Sequence, residues 1–176
     1  NELNDIGKKF FDLKLYNEAA AIYEVATTNP NSRNFLYDNF YLGYALYFGN
    51  VNLEEGKKID PAIVAKANVA FDNVIAASPT TQDAYIYKAR VNSLLEEDTV
   101  AQAEMVKNYE DFIRVVTEKG ADEMAKPANK TKFVEAYNNL GIHFAKTDKV
   151  KAKEYFQKAL AIDPADETAK STLKLL

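Results

Sequence analysis

The residue types most able to do chemistry are few in this 176-residue chain. His143 is the only histidine, and there is no cysteine. A catalytic imidazole needs a nucleophile or an orienting carboxylate beside it, and a metal needs further ligands. His143 has Ile142, Phe144 and Ala145 as neighbours, so it reads as a helix residue packed between repeats. Two carboxylate groups, Glu54-Glu55 and Glu96-Glu97-Asp98, could do acid–base work only if a pocket held them. Each lies in a turn or at a helix end, where solvated charge is the expected role. The six glycines are isolated, so no phosphate-cradling loop is formed. Asn129-Lys130-Thr131 matches a glycosylation sequon, which matters only in a eukaryotic secretory setting. Lys149, Lys151, Lys153 and Lys158 read as a solvated face. No catalytic group, metal site or cofactor is expected, and the chain is not expected to be an enzyme.

Composition narrows the classes further. Hydrophobic residues make up 47% and charged residues 27%, ordinary for a globular chain. The formal net charge of −4 argues against a nucleic-acid binder, which needs a basic stripe to neutralise phosphates. No run approaches the ~18 apolar residues of a membrane helix, so direct membrane insertion is not expected. No signal peptide is visible. The chain begins at Asn1 without a methionine, and the expectation is the C-terminal part of a longer protein.

The elements that position these residues are helices in pairs. Leu3, Ile6, Gly7 and Phe10 share one helical face, and Ala19, Tyr23 and Ala26 another, before Pro30. Leu42, Gly43 and Leu46 lead to Ala67, Phe71, Val74 and Pro79, with a long polar turn at residues 49–60 between them. Asp60-Pro61 is a helix start: a cap, then proline at the first helical position. Tyr85 and Ala89 open a third pair, in which Lys88 stands where a leucine is expected. Its second helix is predicted from Thr99, with Gln102 completing a capping box, to a stop at Lys119-Gly120. Residues 121–130, containing Pro127, read as a polar loop. In the fourth pair Tyr137, Leu140, Gly141 and Phe144 face Ala152, Phe156 and Ala159, closed by Pro164.

The fourth pair, AYNNLGIHFAKTDKVKAKEYFQKALAIDP, resembles the tetratricopeptide repeat (TPR), a helix–turn–helix unit that stacks into a solenoid. The resemblance implies an all-α, right-handed helical-hairpin solenoid of about four helix pairs plus a C-terminal capping helix. The units fall at residues 1–32, 33–80, 81–130 and 131–164, with the cap at 165–176, in a single TPR-like domain. Spacings of 36, 46 and 52 residues separate Gly7, Gly43, Ala89 and Gly141. A regular TPR repeats every ~34 residues. The irregular third unit, YIYKARVNSLLEEDT, is similar to multi-repeat bacterial cell-envelope TPR proteins, which implies a periplasmic or envelope location over a cytoplasmic one.

The resemblance also implies a non-enzymatic scaffold that binds a protein or peptide on a concave face lined by the first helix of each pair. Carried onto this chain, that face takes Asn4, Lys8, Phe11 and Asp12, then Tyr37, Phe40, Tyr41, Tyr44, Tyr47 and Phe48. Ile86, Tyr87, Arg90 and Leu94 follow in the third unit, and Asn138, Asn139, Ile142 and Lys146 in the fourth. The Lys/Asn/Arg set by which chaperone-binding TPRs hold a peptide carboxylate is not reproduced. Asn4, Lys8, Tyr41, Asp83 and Tyr87 depart from it.

Phe35–Phe48 holds seven aromatics in 14 residues, which read as going around the helix and not along one stripe. Two readings stand. The rings form a Tyr-rich groove for an extended or helical peptide. Alternatively they are core, covered by residues 51–59, by missing repeats or by a second copy in a self-assembling segment of a larger envelope protein. The candidate partner-binding residues are Lys8, Phe11, Tyr37, Phe40, Tyr41, Tyr44, Tyr47, Phe48, Tyr87, Arg90, Asn138 and Ile142.

Overall fold

A computed structural model describes residues 2–176. Among them are ten helices and no strand: α1 (Glu2–Asp12), α2 (Tyr16–Ala26), α3 (Phe35–Phe48), α4 (Pro61–Ala77), α5 (Gln82–Ser93), α6 (Thr99–Glu118), α7 (Ala121–Ala125), α8 (Pro127–Ala145), α9 (Lys149–Ile162) and α10 (Glu167–Leu173). The chain groups into two compact units, Asn1–Met105 and Val106–Leu176, and the division falls inside α6.

In the first unit α1 packs on α2, α2 on α3, α3 on α4, and α4 on α5, the chain order of stacked hairpins. Small residues make the tight contacts. A Cβ added at Gly7 would lie 2.8 Å from Cζ of Tyr23, and one at Gly43 would lie 2.6 Å from Cε1 of Phe71. The first helix of each pair thus lays its backbone against an aromatic ring of the second. The core gathers Tyr23, Leu42, Leu46, Val64, Phe71 and Val74.

The second unit repeats the device. A Cβ at Gly141 would come within 2.7 Å of Cζ of Phe156, which is fully buried with Ala152, Ala159 and Ala169. The predicted cap is present as α10: Ala169 is buried, and Leu173 and Leu176 pack against this cluster. Asp166 starts α10 by accepting from the Ala169 amide at 2.7 Å, as Asp148 starts α9 by accepting from Lys151 at 3.0 Å.

Two local expectations are corrected. The cap of α6 is Asp98, whose Oδ1 accepts from the Val100 and Ala101 amides at 2.9 and 3.0 Å. No Thr99–Gln102 box forms there, because the Gln102 side chain donates to the Leu95 carbonyl instead. Residues 121–130 are helical, not a polar loop. Gly120, at φ +96°, ends the turn after α6, and Pro127 occupies the first position of α8, where a missing amide costs nothing. Asn129 locks the two helices together: its buried amide donates to the Glu123 carbonyl at 2.8 Å and to Glu123 Oε1 at 2.9 Å. The sequon asparagine is therefore only 3% exposed.

Candidate functional site: an aromatic layer on the first unit

The rings of α3 do not go around the helix. At 100° per residue, Tyr37, Phe40, Tyr41, Tyr44, Tyr47 and Phe48 occupy an arc of about 120°. Phe35 alone lies on the far side. Opposite the arc, Asp38, Asn39, Leu42, Gly43, Ala45 and Leu46 are buried. The aliphatic and small residues of α3 face the core together with Asp38 and Asn39, and its rings face outward at half burial. At Gly43 the backbone sits on the Phe71 ring, so that position has no room for a side chain.

The rings join three first helices. Phe11 of α1 meets Tyr41 edge-on at 5.1 Å between centroids and Phe48 at 6.1 Å. Within α3, Tyr37 stacks on Tyr41 at 4.4 Å, and Phe40 tilts against Tyr44 at 4.3 Å. Tyr87 of α5 lies 4.2 Å from Tyr44 and 5.6 Å from Tyr47. Tyr16 of α2 stacks on Phe48 at 5.4 Å. Sequence reasoning missed Tyr16, because it belongs to a second helix; its position at the very start of α2 is what brings it to the end of α3.

Charge at this layer is engaged internally. Lys8 pairs with Asp12 at 2.6 Å, and the Arg90 guanidinium stands over the Tyr87 ring at 4.5 Å. Asn4 donates to Asp38 at 2.7 Å. Burial pushes the Asp38 carboxyl above its usual range, and the bond from Asn4 draws it part of the way back. Burial, with Asp83 and Tyr87 nearby, also pushes the Tyr44 phenol up. Burial and a bond to Tyr41 do the same for Tyr37. Both phenols stay protonated at neutral pH.

Not every predicted residue lies on an accessible face. Ile86 is fully buried in α5. Asn138, in the second unit, is also a correction: only 8% exposed, its amide is turned inward and donates to Asp166 at 2.9 Å. Asn139 donates to the Glu135 carbonyl of its own helix. Ile142 is 47% exposed. His143 is half-buried edge-on to Phe144; burial, then Lys146 and Lys151, holds its imidazole below the usual value.

The segment 51–59 turns toward the α5–α6 turn. Lys58 reaches Glu97 at 3.0 Å, and the two stretches bound a cleft of about 760 Å³ with Leu53, Ile59, Leu94 and Leu95 on its walls. Glu96 and Glu97 are exposed at its edge, and Asp98 is occupied as the α6 cap. Among the described residues, no group of three or more His, Asp and Glu side chains is placed to hold a metal, and no helix is long and apolar enough to cross a membrane.

Lys88, the residue in the leucine position, is the polar centre of the first unit. It is 6% exposed and pairs with Asp72 at 2.7 Å and Glu104 at 3.1 Å. Burial alone would lower its pKa; the two bonded carboxylates outweigh that and raise it. One turn on, Asn92 and Asn68 exchange hydrogen bonds at 2.6 and 3.1 Å. The signal was in the sequence: a lysine in a core register demands an acidic partner.

No protein-family model matches the chain, and no curated protein matches it. Solved structures do. The C-terminal part of a TPR repeat-containing protein from Cytophaga hutchinsonii superposes with a TM-score of 0.72 at 22% identity, over 96% of this chain and 58% of that one. The fold is that of the tetratricopeptide repeat. MamA superposes at 0.64 with 21% identity, over 92% of this chain and 72% of that one. A MamA double mutant does so at 0.65 with 16% identity, over 94% and 75%. This chain thus spans just over half the length of the Cytophaga fragment.

Proposed function

We propose that this TPR chain is a non-enzymatic protein-interaction module that binds a peptide or partner helix across the rings of α1, α3 and α5. One observation carries the reading: Phe11, Tyr41, Tyr44 and Tyr87 bridge three helices in mutual contact, yet each remains half-buried. Large rings with polar edges, pre-ordered by one another, suit an interface because little side-chain freedom is lost on binding. Stacked helical repeats present extended surfaces of this kind to partners. The test is partner capture from native lysate by the chain and by its Tyr41→Ala/Tyr44→Ala variant. Capture should fall at least about tenfold while the helical circular-dichroism signal is kept. Unfolding of the variant would make the rings core and end the reading.

The same half-exposed rings favour one alternative, a self-assembling segment in which a second copy covers the layer. Light scattering across a concentration series separates the two. A molar mass that doubles with concentration, and reverts in the variant, supports self-assembly.

A further inference from the structure

Asp38 is a fully buried carboxyl with one oxygen bonded and the other not, and it sits where α1 meets α3. We propose that it is a proton-operated latch: with the carboxyl neutral the first turn of α1 stays down on α3, and with the carboxyl ionised that turn lifts.

Oδ1 of Asp38 accepts from Asn4, in the first turn of α1, at 2.7 Å. Oδ2 is buried and meets no donor among the described residues. α2 brings the Tyr23 phenol, whose ring lies under Gly7 and whose hydroxyl is also buried without a hydrogen bond. α4 brings Asn73, which bonds Asn39 instead. On α3 itself Tyr37 stands beside Asp38 and bonds Tyr41. Lys8, one turn beyond Asn4, is held by Asp12. The Asn4 bond and the amino terminus favour the anion, and burial outweighs them. An ionised Oδ2 is a buried charge with no partner, far costlier than a neutral hydroxyl in the same place. A proton on Oδ2 leaves Oδ1 accepting from Asn4 as before. Ionisation is relieved by water, and helix ends open at the least cost. The turn that carries Asn4 is such an end. The sign follows from the raised carboxyl. Docking of the turn is strongest below about pH 4, weakens as pH rises toward the raised value, and levels off above it.

Two measurements on the whole chain test this. Carbon-13 NMR follows the Asp38 carboxyl, which should titrate above the ordinary value of about 3.9. Hydrogen exchange, corrected for its intrinsic pH dependence, follows the amides of Ile6, Gly7 and Lys8, which bond carbonyls of the first turn. Their protection should fall by up to about tenfold per pH unit over the interval in which the carboxyl titrates, while amides of α8 and α9 keep theirs. Asp38→Asn keeps the size and cannot ionise, so its protection should not change with pH. A carboxyl that titrates at or below the ordinary value overturns the latch. So does flat protection in wild type, or a slope that survives in Asp38→Asn. Should that variant not fold, Asn4→Leu decides: it keeps the cover and removes the donor, and should move the carboxyl titration further up. A titration that stays or falls overturns the latch.

Discussion

At Gly43 a single hydrogen atom is all that stands between the α3 backbone and the Phe71 ring. In an exposed helix Gly→Ala gains about 1 kcal/mol. Here the new methyl must displace a fully buried ring, so Gly43→Ala should lose about 1–3 kcal/mol in urea denaturation. Adding Phe71→Leu should give a double variant more stable than the two single losses sum to, because the second change opens the space the first one needs. Lys88 predicts an asymmetry. Its partners Asp72 and Glu104 keep 57% and 34% of their side chains exposed, so water can solvate them once the ammonium is gone. Lys88→Met should be neutral or stabilising by about 1–4 kcal/mol. Asp72→Ala with Glu104→Ala strands a buried ammonium and should cost about 3–5 kcal/mol. Equal losses in both directions would show that the lysine stem, not its charge, is what the site holds.

At the scale of elements, the start of α4 was legible and the α7–α8 junction was not. Asp60 accepts from the Ala62 amide at 2.8 Å ahead of Pro61, a cap written in adjacent residues. The α7–α8 junction depends on Asn129 reaching back six residues to Glu123, a contact no local pattern announces. Asn129→Ala should therefore cost about 1–3 kcal/mol in thermal melts, while Lys130→Ala, exposed beside it, stays within about 0.5 kcal/mol. The ring layer shows a different limit. Its residues were named from the sequence, but their composition suggested rings on every side. Only separating ring from aliphatic positions around the helix reveals the arc, because hydrophobicity alone scores Leu46 and Tyr44 alike. Asn138 was misplaced for the same kind of reason: its partner, Asp166, lies beyond the next helix in the chain.

Over the whole molecule, the repeat register carried by Gly7, Gly43 and Gly141 was readable because each glycine answers one ring. The division between Met105 and Val106 was not, since it falls within the unbroken helix α6. Stability in stacked repeats is a sum of local terms. Native-state hydrogen exchange on Gly43→Ala should lose protection in α1 to α5 and leave the amides of α8 and α9 as in wild type; uniform loss would mean one cooperative block. The aromatic layer has an optical consequence too. The chain has 11 tyrosines and no tryptophan, so its ultraviolet emission is tyrosine light alone. Tyr37, Tyr41, Tyr44, Tyr47 and Tyr87 form a contact chain with neighbouring centroids 4.2–6.0 Å apart. At such distances excitation hops between rings, and the layer works as an antenna: whatever quenches one phenol dims its neighbours, and occupancy becomes visible without a label.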